Sequence, residues 1–192
     1  MPYHDSGIAS KFQVFLSNYM FDSGADSFLK TRGMNFWTKS KDVPASFPIK
    51  FTTTGLNTFF PGMEAHYGPD LPVDVEYSIL KLNNFHSKEA LSTLSFNADA
   101  AVSFIVEKAD GTMEHAVDVN LHNFYFNFTV LIEQMAVTAN ITSCTIASIN
   151  ITSTTFGPID LTKVASFFNT GVALGIPFFN IWIQTQKIVI PS

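Results

Sequence analysis

A chain of 192 residues, 46% of them hydrophobic, is long enough to form a single domain with a core of its own. A net charge of −5 with Arg32 as the only arginine excludes the basic, arginine-bearing surface that a nucleic-acid partner requires. It also disfavours an electrostatic hold on anionic membranes. Twenty phenylalanines beside only 14% charged residues point to a large internal apolar surface, or to one hidden against a partner.

Residues 1–13 read as a linker or an entering strand, and the polar opening lacks the charged-then-apolar pattern of a leader. From Val14 the period is helical: Phe15 with Tyr19, Leu16 with Met20, and Ala25 with Phe28 and Leu29 predict a helix to about Arg32, stopped by Gly33. Residues 34–38 read as extended, 39–48 as a proline-bearing loop, and 49–53 as a short strand. Leu56, Phe59, Phe60 and Met63 offer a short helical face, and Val73, Val75, Tyr77 and Ile79 a strand.

The stretch 96–151 organises the rest. Phe96, Ala98, Ala100, Val102, Phe104 and Val106 hold every second position, the signature of a half-buried strand. Asp110-Gly111 is a hairpin signal. The return strand alternates through Met113, His115, Val117, Val119 and Leu121. Its phase then flips to Phe124, Phe126, Phe128, Val130 and Ile132, which requires an extra residue or a bend near His122-Asn123. A fourth run, 141–151, is rich in Thr, Ser, Ile and Asn.

After Phe156-Gly157-Pro158, Asp160 is placed to cap a helix whose Leu161, Val164, Phe168 and Val172 share a face, with Pro177 ending or kinking it before an apolar segment at 178–183. No charge falls between Lys163 and Lys187. The interspersed Asn, Gly and Pro favour a helix buried against the sheet over a membrane span. The expected fold is α+β: a long, curved antiparallel sheet with helices on its apolar face, residues 1–192 forming one domain.

Signals for catalysis are missing. No Gly-x-Ser-x-Gly elbow, phosphate-cradling loop or dinucleotide fingerprint occurs, and the five histidines show no ligand spacing. We therefore expect no enzyme, no cofactor and no metal site. Cys144, the sole cysteine, reads as a small packed apolar group. Asn127, Asn140 and Asn150 begin Asn-x-Thr sequons, candidate glycosylation sites that lean toward a secreted or lumenal setting.

The order of elements resembles the bactericidal/permeability-increasing family of tubular lipid-binding proteins, and within it the C-terminal half. The resemblance rests on Phe15-Leu16-Ser17-Asn18-Tyr19-Met20-Phe21, on Phe51-Thr52-Thr53-Thr54 followed by Phe59-Phe60-Pro61, on the hairpin at Asp110-Gly111, and on Phe156-Gly157-Pro158-Ile159 with the proline-bearing exit at 187–191. It implies a strongly coiled sheet wrapped around two long helices, a half-barrel with an apolar tunnel for the acyl chains of a phospholipid or similar lipid. It also implies a further strand and a second, homologous half beyond those seen here, with peripheral membrane contact possible.

On that basis the expected lipid-lining residues are Phe15, Tyr19, Met20 and Phe28 from the first helix, Val102, Phe104 and Val119 from the sheet, and Phe168 and Val172 from the second helix. The alternative is a non-catalytic docking subunit of a larger assembly that uses the same fold.

Overall fold

The computed structural model describes residues 35–88, 93–133, 136–185 and 188–189, together with Tyr19, Ser23, Gly24, Asp26, Ser27, Leu29 and Lys30. Its centre is an antiparallel meander in which every strand pairs with its chain neighbours, in the order β1-β2-β3-β4-β5-β6. The strands are β1 (Asn35–Thr38), β2 (Val73–Lys88), β3 (Thr93–Glu107), β4 (Met113–Glu133), β5 (Ala136–Thr154) and β6 (Ile188–Val189). Two short helices, α1 (Thr53–Leu56) and α2 (Met63–Tyr67), precede β2, and one long helix, α3 (Leu161–Thr185), follows β5.

The alternation read from sequence sets the faces. On the inner face, Val106, Phe104, Val102 and Ala100 of β3 stand beside Val73, Val75, Tyr77 and Ile79 of β2. On the other side of β3, Phe104, Val102 and Ala100 meet Val117, Val119 and Leu121 of β4. These positions belong to the buried core cluster or pack against it. The phase flip is real. Ala100 pairs with Leu121 and Ala98 with Phe124, so Asp99 faces both His122 and Asn123. Asn123 takes φ 49°, a conformation asparagine tolerates better than most residues, and the Asp99 carboxylate accepts its N–H at 2.9 Å. On the opposite edge of β3 the register slips by one at Leu80, between Ile79 and Lys81. Two bulges thus flank Asp99 and divide the inner face into two zones.

The first zone is sealed. Thr52 caps α1 by accepting the Gly55 N–H at 3.1 Å. The fully buried Thr53 hydroxyl donates to the Gly68 carbonyl at 2.7 Å and accepts the Leu71 N–H at 3.0 Å, tying α1 to the chain that enters β2. That tie sets Leu56, Phe60 and Met63 over the sheet, all fully buried. From the other end Asp160 caps α3, its carboxylate accepting the Thr162 N–H at 2.9 Å. Val164, Phe167 and Phe168, at i, i+3 and i+4, then close the core.

Several expectations change. Residues 49–53 form no strand; Thr52 makes only an isolated bridge to Pro72, because its side chain and backbone are used to start α1. Leu161 is exposed, since it lies in the first turn, before the helix reaches the sheet. Pro177 lies within α3 rather than ending it, so the apolar segment at 178–183 continues the same helix. Among the described residues one long helix stands where two were expected. The fold as described is α+β, with a six-stranded antiparallel sheet and that helix laid on it. No helix among the described residues is long and apolar enough to cross a membrane.

Candidate functional site

Beyond the bulges the inner face goes on, and among the described residues it lacks the cover of the first zone. Its cross-strand rows are Ala98–Phe124–Ile146, Phe96–Phe126–Cys144 and Leu94–Phe128–Ile141. Phe126 stacks on Phe96 at 5.1 Å between ring centroids, and Phe96 on Phe128 at 5.5 Å and 16°. Phe124 meets Phe126 edge-on at 4.3 Å. These four rings are half-buried, whereas Phe60 and Phe104 in the first zone are fully buried. Covering what remains exposed, at about 25 cal/mol per Å², is worth on the order of 1 kcal/mol per ring. The Cys144 thiol shares this surface, and burial alone pushes its pKa up to about 12, so while covered it is an apolar neighbour of Phe126 that reacts only slowly.

Sequence had pointed to other residues. Val102, Phe104 and Val119 are fully buried, and Phe168 nearly so, all within the sealed core. Val172 is half-buried on α3. The room expected beside Ala98 and Ala100 is closed: both are buried, and Ala100 is flanked by Ile79 and Leu121. Tyr19 is 79% exposed and does not line an enclosed space. Ser23, Asp26, Ser27 and Lys30 are exposed as well. Phe15, Met20 and Phe28 lie outside the described residues. The phenylalanines of the strip were legible as an apolar set after the flip. Only the register, which brings Phe96 beside Phe126, makes them one surface.

The outer face is polar. His115 would point inward in a regular strand, but a bulge at Ala116 turns it outward to Asp118 at 3.1 Å, while His122 lies 3.8 Å from Asp99. Partial burial works against ionisation of Asp118, but hydrogen bonds from Ser103, Ser153 and His115 outweigh it and hold the carboxyl below its usual range. Among the described residues no group of three metal-ligating side chains occurs. Of the sequon asparagines, Asn150 is exposed and Asn140 half-buried, while the half-buried Asn127 donates its amide to Ser143 Oγ at 2.7 Å.

An open cleft of about 590 Å³ lies at the tip of the sheet, between α2 and the β3–β4 turn, with His66, Tyr67, Leu71, Lys108 and Asp110 among its lining residues. Its wall is a clamp: Tyr67 donates to Glu114 at 3.0 Å and meets Thr155 at 2.5 Å, and Lys108 pairs with Glu114. Lys108 first, and Tyr67 second, hold the Glu114 carboxyl below its ordinary range. A depressed folded-state pKa means the contribution is present above the unfolded value and lost as pH falls through the folded one. Glu114→Gln is therefore expected to flatten the fall of Tm with acid below about pH 4.3, the ordinary glutamate value. Identical acid limbs in the two proteins would remove the clamp from the account.

No family model matches the chain, and no curated protein does. Among solved structures the chain is similar to the crystal structure of lipopolysaccharide binding protein, with a TM-score of 0.65 at 14% identity over 78% of this chain. It spans 33% of that protein's chain. At that identity the likeness is one of fold: the sheet and the helix laid on it follow the architecture of lipopolysaccharide binding protein.

Proposed function

We propose that this chain is a non-catalytic lipid-binding module of the bactericidal/permeability-increasing type, which holds acyl chains against the strip formed by Phe96, Phe124, Phe126 and Phe128. One observation carries the reading: the inner face of the sheet outruns its sealed core and presents stacked, half-buried phenylalanines. The fold likeness to lipopolysaccharide binding protein, whose name states a lipid ligand, supports it at the level of architecture. A phospholipid or another acyl lipid is the ligand class, because a long apolar strip without fixed charge selects for chain and not for headgroup. The setting we propose is secreted or lumenal. A second homologous half, or a larger assembly, is the proposed protein neighbour.

Native mass spectrometry of gently purified protein, with lipid extraction of the same sample, tests this. Phospholipid bound at a fixed ratio to the chain is expected. A clean apo mass in folded, monodisperse protein would overturn the reading in favour of a docking subunit built on the same fold.

A further inference from the structure

The helix α3 is held to the sheet in two different ways along its length. Its first half is anchored by apolar packing, through Val164, Phe167 and Phe168. Pro177 then interrupts the ladder: lacking an N–H, it leaves the Ala173 carbonyl without its partner one turn on. Gly171 and Gly175, just before it, lower the resistance to bending there.

Past this point a polar contact takes over. Asn180 Oδ1 accepts the Ile141 N–H at 2.6 Å, and Asn180 Nδ2 donates to the Ile141 carbonyl at 2.9 Å. One side chain thus gives Ile141 both bonds that a neighbouring strand would supply. The position is special on two counts. Among the described residues β6 pairs with β5 only at Ala136 and Val137, and the β4–β5 register slips at Thr142. Ile141 also belongs to the row of Phe128, next to the row of Phe126 and Cys144.

We propose that the part of α3 beyond Pro177 is a hinged strap, latched by Asn180 onto the backbone of Ile141, and that its release opens the way to the phenylalanine strip. The ligand this strap admits, an acyl chain, rests on the lipid-binding reading; the motion itself does not. Two hydrogen bonds suit a latch, since each shifts an equilibrium by roughly fivefold and can break while the apolar core stays intact.

Cys144, as the sole thiol, supplies a readout that needs no lipid. Maleimide labelling of the full chain under native conditions is expected to run about twenty-five-fold faster in Asn180→Ala, which loses both bonds. Pro177→Ala, which restores the missing N–H and stiffens the hinge, is expected to label more slowly than the parent, and it keeps the test open if Asn180→Ala fails to fold. Uptake of a self-quenched fluorescent phosphatidylcholine from phosphatidylcholine vesicles should change rate in the same order, with the same plateau in all three proteins.

Equal labelling rates in the folded proteins would overturn the strap even if lipid were taken up. Altered labelling with no uptake by any of the proteins would uphold the strap and overturn its acyl ligand. A lowered plateau at an unchanged rate would make Asn180 part of the binding surface and sink the latch.

Discussion

Phe60→Ala is expected to lower the unfolding free energy by about 3–5 kcal/mol, the usual cost of deleting a buried aromatic ring. The effect falls at the top of that range for a structural reason. Phe60 is fully buried and its ring lies 4.6 Å from Phe104 on β3 and 5.5 Å from Phe167 on α3, so one side chain joins three parts of the chain. Thr53, through its bonds to Gly68 and Leu71, fixes the loop that carries Phe60, which limits how far the site can collapse onto the vacated volume. For a domain of this size such a loss lowers Tm by roughly 10 °C. A fall of only a few degrees, measured by calorimetry, would mean that the two zones of the sheet are not sealed differently.

Phe126→Glu is expected to do the reverse: to remove the bound lipid while leaving the core standing. Phe126 touches Phe96, Phe124 and Phe128, so a carboxylate there places charge in the middle of the strip, where an acyl chain would have to desolvate it. Retained phospholipid should fall by about tenfold or more, the scale set by a penalty of a few kcal/mol. The sealed zone on the other side of the bulges, built on Phe60, Phe104 and Phe167, takes no part in that contact. Tm should therefore drop far less than in Phe60→Ala. Undiminished lipid in folded Phe126→Glu would place the ligand elsewhere.

The sheet was legible in the sequence because its signals are local. Alternation fixed the inward face of β3, Asp110-Gly111 fixed the hairpin, and the change of phase located the bulge at Asn123. The Asp160 cap was legible for the same reason. The site was not. Val102, Phe104, Val119 and the strip phenylalanines follow one inward pattern, and only cover separates sealed core from open surface. That cover depends on where α1, α2 and α3 land. Phe167 illustrates the gap: its apolarity is plain, but its role comes from packing on Phe60 and Phe104, which are distant in sequence. The Asn180 contact is also non-local. Nothing in Phe-Phe-Asn-Ile-Trp marks a side chain that completes the backbone bonding of a strand 39 positions away.

The neighbour-to-neighbour order of the meander bears on how the chain is made. Each strand from β3 to β5 can pair with the one synthesised just before it, so this part of the sheet can grow as the polypeptide emerges, without long loops having to close. The lid of the core has no such advantage, because Val164, Phe167 and Phe168 are made only after the last residue of β5. For that interval the inner face carries Phe104 and its neighbours without the helix that seals them, the kind of exposed apolar sheet on which chaperones act. A ribosome-bound intermediate halted just after β5 should therefore be sticky, and one extended past α3 should not.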